Sequence, residues 1–194
     1  MSKAKLLYHL EQIYDQDTAN STYRSILTLV DSYHFPLQPS RHRLFNQQDV
    51  VLITYGNMVI QQNQTPLKTL GEFLHTQVRN TINTIHILPF FPYSSDEGFS
   101  VIDFKTVNPE LGNWEDISAI GSDFKLMIDL VANHASSQSD WFNNFKSSIH
   151  PYDQYFIKVE PDSDISDVFR PRTSPLLTKI DTDHGVNFLW TTFS

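Results

Sequence analysis

The sequence predicts an α/β fold built on a parallel sheet, and three observations carry that prediction. Ile85–Ser100, IHILPFFPYSSDEGFS, begins as a short apolar run and breaks at Pro89 and Pro92. It then opens into the polar turn Ser94-Ser95-Asp96-Glu97-Gly98, with Phe99 just beyond. Phe124–His134, FKLMIDLVANH, repeats the plan and ends in Asp129, Asn133 and His134. Before and between these runs lie stretches of helical period, so the order reads strand-helix-strand-helix-strand, the signature of right-handed parallel crossovers. A strand packed on both faces reads as an unbroken apolar run, and the carboxyl ends of such strands present the chemistry. Two polar strand ends therefore imply one shared site.

Taken in order, Ser2–Asp17 reads as a helix, with Leu6, Leu7, Leu10, Ile13 and Tyr14 at helical spacing. Asn20-Ser21 is placed to cap a second helix striped by Tyr23, Ile26, Leu27, Val30 and Tyr33, and Pro36 and Pro39 end it. Arg41–Gln48 is polar. Val50–Tyr55, VVLITY, is a β-branched run of strand length bounded by Gly56-Asn57. Gln61–Gln64 is a loop. Pro66 suits a first helical turn, and Leu67, Leu70, Phe73, Leu74, Val78 and Ile82 extend that helix over 66–82. Ile85–Pro89 is the second strand and Asp103–Leu111 an irregular connection. Asn113 caps a short helix that faces Trp114, Ile117 and Ile120 inward and ends at Gly121. Phe124–Val131 is the third strand.

Beyond His134 the pattern changes. Ser136–Ser139 with Asp140-Trp141-Phe142 suggests a short capped helix, Tyr155–Val159 an isolated strand, and Phe188–Phe193 a final one. Pro161–Asp167 is an acidic loop, and the stretch holding Arg170, Pro171, Arg172 and Pro175 has no periodicity. A structureless loop of that length is out of place in a compact domain, so residues 135–194 read as a small lobe inserted over the strand ends. The expected division is a helical extension over 1–45, the sheet-forming part over 46–134 and the lobe over 135–194.

Composition excludes several classes. The chain has no cysteine, which removes disulfide scaffolds, thiolate metal sites and cysteine nucleophiles. Its formal charge of −8 opposes binding to nucleic acid. No run reaches transmembrane length and the start lacks a secretory pattern, so a cytoplasmic protein with no membrane partner is expected. No Gly-rich phosphate loop or nucleophile elbow is present, and no cofactor is implied.

Four positions could carry chemistry. Asp96 lies between Tyr93 and Phe99, where a carboxylate can accept from two hydroxyls while an aromatic face covers a sugar ring. It is equally suited to bonding its own turn. His134 can recognise a hydroxyl, join Asp129 or Asn133 on a metal, or serve a turn. The metal reading needs more ligands than the local spacing supplies, so no metal is expected, and Asp129 within its strand reads as structural. Arg170 and Arg172, held apart by Pro171, can clamp phosphate or carboxylate, or make surface ion pairs.

The stretches ILPFFPYSSDEGFSVIDF, LGNWEDI, LMIDLVANH, VFRPRTSPLLT and LWTTFS together resemble the alpha-amylase superfamily of (β/α)₈ barrels. The resemblance spans about Val50 to Ser194 and is closest to the sucrose phosphorylase-like branch, which includes the glucosylglycerate phosphorylases. DLVANH matches the first conserved region of the superfamily, and Phe99 stands where many of its hydrolases carry tyrosine. The resemblance implies an incomplete TIM barrel, its first three strands, with the inserted lobe following strand three. It implies that Asp96 and His134 bind hydroxyls of a donor glucosyl unit, that Phe99 is the platform beneath it, and that Arg172, with Arg170 as neighbour, approaches phosphate or the acceptor.

The implied reaction is retaining: a carboxylate forms a glucosyl-enzyme, an acid/base protonates the leaving group, and phosphate takes the glucosyl unit. The partners implied are an α-glucoside such as sucrose or glucosylglycerate, and inorganic phosphate. In the family the three catalytic carboxylates stand on strands four, five and seven, so no catalytic residue is expected within Met1–Ser194. A barrel of this kind takes ~250 residues, and the chain reads as an N-terminal part, inactive alone, that could pair with a complementary C-terminal half. Two other readings stand beside the phosphorylase: an α-glucoside hydrolase of the same superfamily, and a non-catalytic glucoside-binding fragment.

Overall fold

The computed structural model describes residues 3–33, 47, 49–170 and 173–191. Contacts divide the chain into two units, residues 1–44 and 45–194. Pro36, Pro39, Pro171, Arg172 and the end of the last expected strand, Thr192 and Phe193, lie outside the described residues.

The first unit is a pair of helices, α1 (Lys3–Glu11) and α2 (Gln16–Ser32). The break falls at 12–15, earlier than periodicity suggested, because Asp15 takes the N-cap of α2. Thr18 N–H donates to Asp15 Oδ1 at 3.0 Å and the Thr18 hydroxyl to Oδ2 at 2.7 Å. Asn20 and Ser21, the expected caps, sit inside the helix, where their side chains donate back to the carbonyls of Gln16 and Thr18. A polar side chain satisfied one turn back has no need of the helix end.

The second unit holds three parallel strands, β1 (Val51–Thr54), β2 (Thr84–Ile87) and β3 (Lys125–Ile128), in the order β1-β2-β3. The register aligns Leu52, Ile85 and Leu126 on one face, and Thr54, Ile87 and Ile128 one step further along it. Helices α3 (Pro66–Gln77) and α4 (Trp114–Asp123) supply the crossovers and bury Leu67, Leu70, Leu74, Ile117 and Ile120 in the core that contains Ile85 and Ile87. The opposite face carries Val51, Ile53 and Met127, all exposed, with Ile53 61% exposed. The register places Thr84, His86 and Lys125 on this same face, so it is mixed apolar and polar.

Two expected helix ends move, each for a local reason. α3 stops at Gln77 because Val78 leaves helical geometry, yet Val78 and Ile82 still pack on the core, so their period reports burial and not helix. α4 begins as expected at Asn113, whose side chain accepts from the backbone of Glu115 and Asp116 in a capping box. It does not end at Gly121. A Cβ there would sit 3.0 Å from Leu126 Cδ1, so this glycine lets α4 approach β3.

Asp123 closes α4 against the end of α3, accepting from His75 and pairing with Arg79 at 3.0 Å. The His75 hydrogen bond above all, and then the charge of the Arg79 guanidinium, hold its carboxyl below the ordinary 3.8, against an opposing effect of burial. A folded pKa below the unfolded one stabilises above 3.8 and loses that contribution as pH falls through the depressed value. Asp123→Asn is therefore expected to lower stability near neutral pH and to converge with wild type in acid, measured by denaturant unfolding across pH.

After β3 come α5 (Asp140–Lys146), capped by Ser139, and a hairpin of β4 (Leu177–Thr182) and β5 (Gly185–Trp190). Phe142, Phe145 and Leu189 form a separate small core with Phe156 and Ile180. The isolated strand expected at Tyr155–Val159 is reduced to a single bridge, Lys158 to Leu189. β4 was not foreseen and β5 starts earlier than expected, because the two-residue turn Asp183-His184 before Gly185 fixes their register.

Candidate active site at the strand ends

The carboxyl ends of β1, β2 and β3 meet on one rim. After β2 the chain turns back on itself through a bridge between Tyr93 and Val101, and this turn carries Asp96 and Phe99. Asp96, Glu97 and Gly98 all adopt positive φ, at 57°, 50° and 108°. Gly98 is required there: a Cβ would lie 2.8 Å from the Pro89 carbonyl oxygen. Gly98→Ala combines that clash with backbone strain, and is expected to cost ~1–3 kcal/mol or more, seen as a lower melting temperature.

The segment after β3 is bonded to this turn at three points. His134 Nε2 donates to the Phe99 carbonyl at 2.8 Å. Ser136 N–H donates to the Val101 carbonyl at 2.8 Å, and the Ser136 and Ser94 hydroxyls are 2.6 Å apart. Ser136 is fully buried, which shields its own end of these bonds from water. Asp96 and His134 are thereby held on one rim, with Phe99, half-buried, between them in the turn. Among the described residues, the Asp96 carboxylate, which is exposed, has no hydrogen-bond partner and can accept from a ligand.

Two further groups complete the rim, and sequence reasoning missed the first. Tyr55, following β1, donates its hydroxyl to Glu97 Oε2 at 3.2 Å. Burial first, and then Glu97, Asp96 and Asp129, raise the pKa of that phenol above its usual value, so Tyr55 stays protonated and remains a donor. Asp129, after β3, binds His86 Nε2 of β2 at 2.9 Å, which agrees with the structural part expected of it. The position of Tyr55 at a strand end was the available signal. Ser136 gave none, since an isolated serine does not declare its partners.

Arg170 is bonded within the segment after β3. Its Nε and Nη2 donate to the carbonyl and hydroxyl of Ser174, and its Nη1 to the Thr191 carbonyl, at 2.6, 2.8 and 2.6 Å. These bonds tie the segment around 170–174 to the end of β5. Arg172 is outside the described residues.

No described residues form a group of three or more His, Asp or Glu fit to hold a metal, and no described helix is long and apolar enough to cross a membrane. A groove of about 400 Å³ between α3 and α4, lined by Leu67, Gly71, His75, Ile120 and Asp123, contains none of the rim residues. The rim gathers an exposed carboxylate, a phenol, a half-buried aromatic ring and an imidazole whose Nε2 is bonded to the Phe99 carbonyl, groups of the kind that can meet hydroxyls and an apolar ring face.

The profile of the alpha amylase catalytic domain matches residues 79–176. The chain is 44% identical over 192 residues to the glucosylglycerate phosphorylase of Spirochaeta thermophila, covering 95% of this chain and 32% of that protein. It is 48% identical over 160 residues to that of Allomeiothermus silvanus, covering 82% and 29%. Among solved structures, the sucrose 6F-phosphate phosphorylase of Thermoanaerobacter thermosaccharolyticum superposes with a TM-score of 0.65 at 28% identity, covering 77% of this chain and 32% of that one. The chain spans about a third of the length of these relatives.

Proposed function

From a chain that belongs to the alpha-amylase family, we propose the glucosyl-donor side of a retaining phosphorylase, which transfers a glucosyl unit from an α-glucoside such as glucosylglycerate or sucrose to inorganic phosphate. β1, β2 and β3 are the first three strands of a (β/α)₈ barrel. Residues 1–45 are a helical extension and 135–194 the lobe inserted after strand three. Asp96 accepts from two hydroxyls of the glucosyl ring, Phe99 lies beneath it and His134 contacts a further hydroxyl. The observation that supports this reading is the bond from His134 to the Phe99 carbonyl, which ties the segment after β3 to the turn after β2.

The 44% identity to a glucosylglycerate phosphorylase over nearly the whole chain supports phosphate as the acceptor. Phosphate needs fixed positive charge, which Arg172 supplies in this reading. No residue of 1–194 is assigned as nucleophile or acid/base. Those carboxylates stand on later strands of the barrel, and the 194 residues alone bind without turnover. Expressed alone, the chain is also expected to self-associate through the exposed Ile53 and Met127 and the edges of β1 and β3, which pair with no further strand among the described residues. Size-exclusion chromatography checks this, and a monomer with a cooperative melt would count against the barrel placement.

The test of function is product analysis on the full-length protein given glucosylglycerate, with and without inorganic phosphate. Glucose 1-phosphate formed only with phosphate supports the reading. Free glucose formed at the same rate either way makes the protein a hydrolase, and binding without turnover makes it a glucoside-binding protein.

A further inference from the structure

We propose that Glu97 is a positioning residue: its carboxylate, held by the Tyr55 hydroxyl, keeps Asp96 in the backbone conformation that presents it to the donor. This rests on the donor-subsite reading of Asp96.

Three consecutive residues of the turn have positive φ, and two of them, Asp96 and Glu97, are not glycine. L-residues leave that region unless the surroundings hold them there. Much of the turn is held from below. Phe99 N–H donates to the Asp96 carbonyl, Ser94 N–H to the Ser100 carbonyl and His134 to the Phe99 carbonyl. Those bonds fix the base of the turn through backbone atoms and leave the carboxylates at its tip. Among the described residues, the one side-chain bond from the tip is Glu97 Oε2 to the Tyr55 hydroxyl, at 3.2 Å. It reaches across 42 residues of sequence to the end of β1, a strand fixed in the sheet.

Electrostatics make the bond matter. Asp96 and Glu97 are adjacent carboxylates, and Asp129 adds a third negative charge near Tyr55. Adjacent carboxylates repel, and that repulsion favours any rearrangement that turns one of them away. Tyr55 opposes it by binding one of the pair. Its hydroxyl is held protonated by burial and by the same carboxylates, so it remains a donor throughout the neutral range. When the bond is lost, the strained pair can relax and Asp96 swings with it. Misplacing a binding group by about 1 Å can cost on the order of a hundredfold in rate.

The experiment measures kcat/KM for glucosylglycerate with saturating inorganic phosphate, and thermal melting, in the full-length protein. Glu97→Ala and Tyr55→Phe are each expected to lower kcat/KM by about ten- to a hundred-fold with little change in melting temperature. Glu97→Gln restores most of the loss, because an amide oxygen still accepts from Tyr55. The deciding comparison is made in an Asp96→Ala background, where Glu97→Ala should change nothing further, to within about twofold. Independent, multiplying effects of Asp96→Ala and Glu97→Ala overturn the proposal. So does a loss in Glu97→Ala that tracks a fall in melting temperature, or an activity unchanged by Tyr55→Phe. If Asp96→Ala is crippled and Glu97→Ala is not, only this inference fails. If the wild-type protein turns over no α-glucoside, the donor-subsite reading fails and this one with it.

Discussion

Asp96→Ala in the full-length protein is expected to lower kcat/KM for the glucosyl donor by roughly 10²–10⁴. The size follows from the bonds at stake. A hydrogen bond to a charged group contributes about 1.5–3 kcal/mol, and a carboxylate accepting from two ring hydroxyls makes two of them. Asp96 is exposed, so its loss leaves the fold intact and appears in rate and not in melting temperature. His134→Ala behaves differently. Its Nε2 holds the Phe99 carbonyl, so the substitution loosens the turn in addition to any ligand contact it removes. About ten- to a hundred-fold in rate is expected, less than additive with Asp96→Ala because both act through one turn. Steady-state kinetics of the two single variants and the double variant checks both statements.

Arg172→Ala is expected to separate phosphorolysis from hydrolysis. Phosphate arrives carrying one or two negative charges, and desolvating it requires fixed cations. The rim offers the reverse, with Asp96, Glu97 and Asp129 gathered near Tyr55. Removing Arg172 should raise the apparent KM for phosphate by about tenfold or more, while release of free glucose from the same donor changes little, since water needs no cation. Lysine rescues in part, because it lacks the planar fork. Arg170→Ala supplies the contrast. Its guanidinium is already bonded to Ser174 and Thr191, so its removal should lower melting temperature and depress both reactions together. A selective effect of Arg170→Ala on phosphate would exchange the two assignments.

The sequence disclosed the elements whose signals are local. Apolar runs ending at Pro89 and at Asn133-His134 marked two strands and their polar tips, and Asn113 announced its capping box. Boundaries failed where one signal had two causes. Val78 and Ile82 keep helical spacing because they pack, not because they are helical, and Gly121 serves a close helix–strand approach in place of a helix end. The β4 strand was missed because its hydrophobic alternation is weak and its pairing with β5 is fixed by the turn between them. At the rim, Asp96, Phe99 and His134 were legible as residue types at strand ends. The contacts that hold them were not, since Tyr55 to Glu97 and Ser94 to Ser136 join residues 42 positions apart.

The central claim is that three strand ends of this chain form one glucosyl-binding rim, and a crystal structure of the full-length protein with a bound glucosyl donor tests it most directly. The account predicts one pyranose ring with the Asp96 carboxylate within hydrogen-bond distance of two of its hydroxyls, His134 on another, and the Phe99 ring against its apolar face. A donor seated elsewhere on the protein, with Asp96 and His134 both facing solvent, would contradict it.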